Sequence, residues 1–221
     1  MVKGAKQILA KIRDLIFPVF CISCGLEGKI ICSKCLKKIT AQPQIFYPAG
    51  FLDGAVALGN YQEKILQTAI TEYKYNFNQE IFVIFQKIIA DWQLEGSGFG
   101  QGFKNQSWLI IPVPLHKDRF WERGFNQAEE LAKLVTAKLG LKINIQLLKR
   151  IKKTKRQVGL GRSERQENLK GAFEVVGWLR GANVILIDDV FTTGATLQEC
   201  AKVLKQAGAS GVWAITVARE S

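Results

Sequence analysis

The sequence lacks a long apolar run and a set of histidines, and each absence excludes a common class of protein. The best apolar stretch, residues 15–22, contains Pro18 and is far shorter than the roughly 18 residues that a membrane-spanning helix needs. It also has no small-residue cleavage site, so it does not match a secretory signal peptide. We therefore expect a soluble, cytoplasmic protein with no membrane span.

His116 is the only histidine in the chain. A histidine-rich metal site is therefore excluded, and a Ser-His-Asp mechanism would have a single base to use. His116 itself could contact a ligand, or it could be a packed or solvent-facing side chain. The chain also lacks the G-x-G-x-x-G pattern of a dinucleotide site and has no Lys after Gly194, which excludes a nucleotide-triphosphate loop at that turn.

The overall composition is that of an ordinary globular protein, but its charge is unevenly distributed along the chain. Hydrophobic residues make up 48% and charged residues 23% of the 221 residues, which suits a small module joined to a domain of about 150 residues, or one medium domain. The net charge is +12, to which residues 1–40 contribute +6 and residues 149–170 contribute +7. Two basic clusters favour a polyanionic partner, either a phosphorylated small molecule or nucleic acid, over a merely solvated surface.

Apolar strands alternate with amphipathic helices along most of the chain. The continuous apolar runs at 108–113 and 183–187 predict strands buried on both faces. The alternation predicts an α/β fold with a central, mostly parallel sheet flanked by helices. The other predicted elements are an amphipathic helix at 5–17, one or two strands in 51–61, helices at 64–75, 79–92, 126–139 and 194–206, strands at 143–148, 172–176 and 211–217, a flexible loop at 96–102 and a basic loop at 150–170.

Residues 184–196 join a buried strand to a helix through two adjacent acids and a turn of small residues. Asp188 and Asp189 would lie at the carboxyl end of the strand, where ligands bind in open α/β sheets, and could accept hydrogen bonds from a vicinal diol. The turn leaves backbone N–H groups free at a helix N-terminus, which attracts a phosphate. The residues of this turn are Thr192, Thr193, Gly194, Ala195 and Thr196.

This segment resembles the loop with which type I phosphoribosyltransferases bind phosphoribosyl pyrophosphate (PRPP). That loop runs from four apolar residues through two acids to small residues that end in Thr. The resemblance implies that Asp188 and Asp189 hold the ribose hydroxyls and that residues 192–196 cradle the 5′-phosphate. Purine-salvage members often carry an Asp at the position of Thr192, which argues against purine salvage, whereas orotate-type members carry Thr there.

Further motifs narrow the resemblance to the ComF family of competence-related proteins. They are residues 111–127 (IPVPLHKDRFWERGFNQ), Lys153 to Lys155 with Gln157, Arg165 with residues 168–173 (NLKGAF), and residues 216–219 (TVAR). These four motifs occur in the order found in that family. The resemblance covers nearly the whole chain and is weakest over residues 50–105.

The family resemblance implies a type I phosphoribosyltransferase fold behind a small N-terminal zinc module. Residues 1–45 would form the helix and zinc module, and residues 46–221 the phosphoribosyltransferase-like domain. Within that domain, residues 46–106 would form a substrate-side hood and residues 107–221 the PRPP-binding core. PRPP would bind with Mg²⁺, and the family implies a role in DNA uptake during transformation or in nucleotide handling.

Arg119 and Arg123 lie four residues apart, so on a helical turn they project from one face. By the resemblance this is the pyrophosphate side of the ligand, where two guanidinium groups could clamp a diphosphate. The alternative is a pair of surface ion pairs with Asp118 or Glu122.

The basic loop 150–170 lies where this fold carries a mobile catalytic flap, which could close over the diphosphate and exclude water. Two alternatives stay open, a charged hairpin that never closes and a surface that grips the phosphates of single-stranded DNA. The candidate catalytic residues are Arg123, Lys153, Lys155 and Arg165, and Arg156 lies among them.

Four of the five cysteines form two C-x-x-C pairs, Cys21 with Cys24 and Cys32 with Cys35. Four thiolates at this spacing predict a tetrahedral structural zinc, whereas two disulfides would need an oxidising compartment. The closed ligand set leaves no open position for catalysis, and the module could also dock a partner. Cys200 falls on a predicted helix and is expected in the core.

Two functions follow from these patterns. The leading prediction is a PRPP-binding ComF-like protein that could act as a phosphoribosyltransferase. The alternative is a non-enzymatic adaptor that binds DNA or a nucleotide and docks a partner through its zinc module. The predicted partners are PRPP or a related phosphorylated ribose, single-stranded DNA, a competence or recombination motor protein, and a second copy of the chain.

Overall fold

The computed structural model describes residues 18–76, 79–93, 107–154 and 162–220. The predicted helix at 5–17 and the predicted loop at 96–102 lie outside these ranges, as do Lys155 and Arg156. Of Arg165, the backbone alone is described.

The strands within the described ranges form one six-stranded sheet and one two-stranded ribbon. In chain order they are β1 Gln44–Phe46, β2 Gly54–Ala57, β3 Trp108–Pro112, β4 Lys142–Ile143, β5 Leu148–Arg150, β6 Phe173–Val175, β7 Asn183–Phe191 and β8 Gly211–Arg219. The sheet has the order β1-β2-β8-β7-β3-β4, and every neighbouring pair is parallel except β1 with β2. The predicted α/β class with a central, mostly parallel sheet is confirmed.

Helices cover both faces of this sheet. One face packs against α2 (Lys64–Asn76), α3 (Gln79–Asp91) and α5 (Gln127–Leu139), and the other against α6 (Arg162–Leu169), α7 (Ala195–Gln206) and the β5–β6 ribbon. No helix of the described ranges combines the length and the apolar character that a membrane span requires. The helices are α1 Ser33–Leu36, α2 Lys64–Asn76, α3 Gln79–Asp91, α4 Lys117–Arg123, α5 Gln127–Leu139, α6 Arg162–Leu169 and α7 Ala195–Gln206.

Strand β7 shows why its apolar run is continuous. Val184 and Leu186 pack with α7, whereas Ile185 and Ile187 pack with the layer of α2, α3 and α5. Both faces of the strand are therefore buried, as expected for a central parallel strand. Since side chains alternate along a strand, the two acids that follow Ile187 continue toward opposite layers, the first toward α7 and the second toward α2.

The predicted strand at 143–148 is wrong, because the chain turns inside it. Strand β4 ends at Ile143, and the Asn144 side-chain oxygen accepts hydrogen bonds from the backbone N–H groups of Gln146 (2.9 Å) and Leu147 (3.0 Å). This local turn takes the chain out of the sheet. Strand β5 then pairs with β6 in the separate ribbon.

The predicted basic loop at 150–170 is also corrected, because helix α6 occupies its second half. Leu169, at the end of α6, is fully buried in the cluster formed with α7. The next turn is fixed by the Gly171 N–H, which donates to the Glu199 carboxylate at 2.8 Å. The burial of Leu169 and the hydrogen bond from Gly171 therefore hold α6 in place, although its polar composition favours a loop.

The cysteine segment packs directly on the sheet layer of α2 and α3. Cys21, Cys32 and Cys35 are buried together with Ile30 and Ile31 in that cluster. The exposed fourth cysteine, Cys24, lies at the outer edge of the group. The main core therefore supports the module, which needs no core of its own.

Candidate ligand cavity and four-cysteine centre

A cavity of about 300 Å³ opens at the carboxyl ends of β3 and β7, at the lower end of the size range of small-molecule sites. Its walls come from five separate parts of the chain: α2, the β3–α4 connection, α4 with the start of α5, β5, and the β7–α7 turn. The polar lining residues include Lys74, Arg119, Glu122, Arg123, Asn126, Gln127, Arg150, Asp188, Asp189, Thr192 and Thr196. Most of the residues predicted for ligand binding therefore meet in one place.

Asp188 and Asp189 project from the last part of β7 into this cavity. Burial raises the pKa of Asp188 to about 7, and the adjacent charge of Asp189 adds to the effect. Lys74 and Arg150 partly offset this rise in the pKa of Asp188, since both carry positive charge nearby. The cavity thus holds a pair of acids with unequal environments.

Lys74 is a site residue that the sequence analysis missed. Its Nζ lies 2.8 Å from Oδ1 of Asp189. Burial alone would lower the pKa of the Lys74 ammonium, but the charges of Asp189 and Asp188 outweigh burial and raise it. The residue lies on α2 between Tyr73 and Tyr75, and nothing in that local sequence distinguishes it from a surface lysine.

The turn between β7 and α7 requires a glycine and leads directly into a helix. Gly194 has a left-handed backbone (φ +75°), and a Cβ there would lie 2.5 Å from the Phe191 ring, so glycine is required. The N-terminus of the 12-residue helix α7 follows immediately. Thr192, Gly194, Ala195 and Thr196 line the cavity, whereas Thr193 faces a neighbouring cavity.

Arg119 and Arg123 both line the same cavity as this turn. Nη1 of Arg123 donates to Oε1 of Gln127 at 3.0 Å, and the guanidinium lies 5.5 Å from the centre of the Tyr75 ring. Of the two acids named in the alternative, Asp118 pairs with Lys153 at 2.5 Å, and Glu122 lines the same cavity as the two arginines. The contact with the Tyr75 ring and the hydrogen bond to the Gln127 side-chain amide hold the Arg123 guanidinium toward the cavity.

Among the described side chains, Lys153 and His116 lie outside the cavity lining. The Lys153 ammonium is exposed, and its hydrogen bond lowers the pKa of the Asp118 carboxyl. His116 is buried and caps α4, because its Nδ1 accepts from the Asp118 N–H at 3.3 Å. Its role in the structure is therefore that of a packed helix cap.

Arg150 and Gln127 also enter the cavity wall without having been predicted. The Arg150 guanidinium lies 5.3 Å from the centre of the Phe173 ring and donates to the Thr154 hydroxyl. Burial lowers the pKa of Arg150, and the nearby charge of Arg119 lowers it further. Gln127 is the first residue of α5 and is only 2% exposed.

The four cysteines of the two C-x-x-C pairs come together at a second centre. Their sulfur atoms all lie within 4.8 Å of one another, and the Sγ atoms of Cys24 and Cys32 are 3.7 Å apart. A tetrahedral zinc with Zn–S bonds near 2.3 Å would place its sulfurs about 3.8 Å apart. All four are free thiols, so the alternative of two disulfides does not describe this structure.

The backbone around Cys21 favours its thiolate, whereas at Cys24 the neighbouring cysteines outweigh a backbone hydrogen bond and raise the pKa to about 11. Burial works to raise the pKa of the Cys21 thiol, but hydrogen bonds from the backbone at Cys32, Cys24 and Ser23 outweigh burial and lower it to about 6. Thiolate is the form that binds metal. Cys200 lies apart from this centre and is fully buried on α7, as predicted.

Three relatives resemble this chain over different shares of its length. "Competence protein F" of Haemophilus influenzae is 39% identical over 113 residues, which are 50% of this chain and 49% of that protein. "DNA utilization protein YhgH" of Salmonella typhimurium is 28% identical over 196 residues, 87% of this chain and 80% of that protein. "Competence protein ComFC" of Bacillus subtilis is 29% identical over 159 residues, 70% and 60% respectively.

These relatives support the resemblance of the chain to the ComF family. No protein-family model matches the chain, and its alignment spans about half the length of the Haemophilus protein. The ComF resemblance predicted from residues 111–127, 153–173 and 216–219 is confirmed. The first of those motifs forms the wall of the cavity from β3 to the start of α5.

Proposed function

We propose that this ComF-like protein binds PRPP in the cavity and transfers its phosphoribosyl group. Asp188 and Asp189 accept hydrogen bonds from the ribose hydroxyls, and residues 192–196 hold the 5′-phosphate at the N-terminus of α7. Arg119 and Arg123 hold the diphosphate. The observation that carries the proposal is that the acid pair, the β7–α7 turn and the two arginines line one cavity.

The proposed fold is that of a type I phosphoribosyltransferase, with residues 1–45 as the zinc module and residues 46–221 as the transferase-like domain. The mostly parallel sheet, with its acid pair at the carboxyl end of a central strand, supports this assignment. Residues of α2, in the proposed hood 46–106, reach the cavity from the substrate side.

In the proposed reaction a nucleophile attacks the anomeric carbon as the bond from that carbon to the diphosphate oxygen breaks. The leaving diphosphate carries the bonding electron pair, and the ribose passes through a transition state with oxocarbenium character. Arg119 and Arg123 stabilise the charge that develops on the leaving group. Lys153, Lys155 and Arg165, on the segment that follows β5, would close over the diphosphate and exclude water.

The cavity suits a hard divalent cation bound together with the ligand. Carboxylate oxygens are the ligands that Mg²⁺ prefers, and Asp188, Asp189 and Glu122 supply them here. When bound, Mg²⁺ would neutralise part of the diphosphate charge. At the second centre, Cys21, Cys24, Cys32 and Cys35 would hold a structural Zn²⁺ with no open coordination position.

The names of the relatives support a role in competence and DNA utilisation. We therefore place the proposed activity in DNA uptake or in handling the nucleotides that uptake delivers. Exposed lysines favour a second candidate, an adaptor that holds single-stranded DNA while the zinc module docks a motor protein. Lys149, Lys152 and Lys153 are exposed in and just after β5, and Lys34, Lys37 and Lys38 are exposed on the module.

Calorimetric titration of PRPP with Mg²⁺ tests the binding proposal. The Asp188→Asn/Asp189→Asn variant should lose about 30-fold or more in affinity, on the order of 2–4 kcal/mol, because the diol loses two charged acceptors. The matched control is Glu129→Gln/Glu130→Gln, an adjacent acid pair on α5 outside the cavity lining. Equal affinity of the Asp variant and the wild type would reject the site.

Release of pyrophosphate from PRPP tests turnover separately from binding. The assay supplies a panel of nucleobases and amines as acceptors. Release with one acceptor, lost in the Asp188→Asn/Asp189→Asn variant, supports the transferase. Binding without release for any acceptor would reject transfer and favour the adaptor.

A further inference from the structure

Two buried N–H donors that line the cavity have no hydrogen-bond partner within the described part of the chain. They are Nε2 of Gln127 and Nε of Arg150. A buried donor without an acceptor is costly, and native structures rarely keep one without a reason. Both donors come from walls of the same cavity, so a ligand in that cavity is the natural source of the missing acceptors.

Gln127 has a fixed orientation. Its side chain is buried, and its Oε1 accepts the hydrogen bond from Nη1 of Arg123 at 3.0 Å. The amide oxygen is therefore committed, and the amide nitrogen is left to donate elsewhere. The residue opens α5, where the positive end of the helix dipole adds to the attraction for an anion.

Arg150 is fixed from two other directions. Its guanidinium lies over the Phe173 ring and donates through a terminal nitrogen to Thr154. No carboxylate of the described residues lies within ion-pair distance of the guanidinium, which contacts an aromatic ring and a hydroxyl. A partly buried guanidinium without a carboxylate partner is a ready binding group for an anion.

We propose that Gln127 and Arg150 bind the ligand directly and complete a diphosphate subsite with Arg123. This inference rests on the proposed function and adds the two residues that select its diphosphate end. A diphosphate offers many acceptor oxygens and, when ionised, no donors, which matches the free donor groups of Gln127 and Arg150. A nucleobase or an amide would bring donors of its own, which these groups cannot satisfy.

The subsite also selects the class of donor substrate. The turn at residues 192–196 holds one anion, and the subsite of Gln127, Arg150 and Arg123 holds a second. A ribose that carries a phosphate at one end and a diphosphate at the other engages both. Ribose 5-phosphate engages the turn alone and inorganic pyrophosphate engages the subsite alone, so the two compounds report on the two ends separately.

Gln127→Glu is the decisive substitution because it is nearly isosteric. A carboxylate oxygen can still accept from Arg123, but the donor Nε2 becomes a second negatively charged oxygen. We expect calorimetry to show at least a tenfold loss of affinity for pyrophosphate and for PRPP, and unchanged binding of ribose 5-phosphate. Gln86→Glu, on an exposed position of α3, is the control for the added charge.

Arg150→Gln is compared with Lys149→Gln, its neighbour on β5. Both remove one positive charge, but Arg150 lines the cavity and Lys149 is exposed on the outer face of the ribbon. We expect at least a tenfold loss for pyrophosphate with Arg150→Gln and less than twofold with Lys149→Gln. Arg150→Lys keeps the charge, loses the Nε donor and serves if Arg150→Gln does not fold.

The outcomes separate this inference from the proposed function. If wild type binds PRPP and Gln127→Glu and both Arg150 variants bind pyrophosphate as well as wild type does, the subsite is rejected and PRPP binding stands. If wild type binds pyrophosphate but not PRPP, and the variants lose pyrophosphate, the subsite stands and the proposed donor is rejected. If Gln127→Glu binds pyrophosphate normally and Gln127→Leu loses it, Gln127 only positions Arg123, and its direct role is rejected.

Discussion

The four-cysteine centre and the ligand cavity are built in opposite ways. All four sulfurs of the centre come from fifteen consecutive residues, 21–35, and two short spacings bring them within 4.8 Å of one another. The cavity takes its polar residues from five segments between Lys74 and Thr196 that the sheet brings together. A local site is specified by its spacing, whereas an assembled site is specified by the fold.

The two sites also differ in how the charges of their side chains are balanced. The cysteine centre brings like-charged thiolates together, and a cation would offset their repulsion, so metal and local structure should depend on each other. The cavity already contains cationic side chains near its acids, such as Lys74, whose ammonium pairs with the Asp189 carboxylate. Its charged groups therefore remain arranged without a ligand, and substitutions there should alter binding before they alter folding.

The largest effect should come from breaking the local centre. Cys32→Ser removes one of four zinc ligands, and we expect bound zinc to fall from about one ion per chain to none, with a lower melting temperature. Zinc release measured with a colorimetric chelator, together with thermal unfolding, checks this prediction. Cys200→Ala, which removes the fifth cysteine, should keep the zinc; full retention of zinc by Cys32→Ser would show that the centre is not a closed four-ligand site.

The next largest effect concerns Asp188 and folding stability. Its pKa is about 7 in the folded protein and about 4 in an unfolded chain, so between these values the folded state binds more protons. Stability should therefore fall as pH rises from about 4 to about 7, by at most about 1.4 kcal/mol per pH unit from this group.

Urea unfolding at a series of pH values between about 4 and about 8 measures this slope. Asp188→Asn removes the titrating group and should flatten the part of the slope that Asp188 contributes. Glu129→Gln, outside the cavity, should leave the slope as it is. Identical pH profiles for wild type and Asp188→Asn would contradict the inferred environment of this acid.

A smaller effect is expected when the counter-charge from α2 is removed. Lys74 holds down the pKa of Asp188, so Lys74→Met should raise that pKa further. If the ionised acid binds the ribose hydroxyls, PRPP affinity rises with pH through the pKa of Asp188, and this rise should move to higher pH in the variant. Calorimetry against Lys64→Met, an exposed lysine on the same helix, checks the shift; coincident profiles would show that Lys74 is not coupled to the acids.

The smallest effect compares the two regions as DNA surfaces. Lys152→Ala/Lys153→Ala removes two charges just after β5, and Lys37→Ala/Lys38→Ala removes two from the cysteine module. If DNA lies along the segment after β5, the first variant should flatten the salt dependence of single-strand binding by up to about 1.4 in logarithmic slope, and the second should not. A change confined to the module variant would move the contact to the module.

Local patterns explain which parts could be predicted from the sequence. Asp188, Asp189 and Gly194 belong to one continuous strand–turn–helix segment, and the cysteines to another, so neighbouring residues reveal them. Strand β4 was predicted too long because the Asn144 turn lies inside an apolar stretch. Helix α6 was missed because its stability comes from Leu169 packing on α7 rather than from its own polar sequence.

The unpredicted cavity residues are single polar side chains in unremarkable surroundings. Lys74 lies on an amphipathic helix, Gln127 follows an N-cap, and Arg150 stands in a run of basic residues. Their importance comes from neighbours that are distant in sequence, such as Asp189 for Lys74 and Phe173 for Arg150. No local spacing records such contacts, so the structure was needed to find them.

The close approach of Gly194 to Phe191 has a consequence for tracing the history of the family. Any side chain at residue 194 would meet the Phe191 ring at 2.5 Å, so this glycine is needed for the turn whether or not a ligand binds. A related protein that no longer binds the ligand would still be expected to keep Gly194. Asp189 and Gln127 better distinguish relatives that still bind the ligand from relatives that do not. Once the cavity no longer binds a ligand, substitution of these two residues would destabilise the fold less than substitution of Gly194.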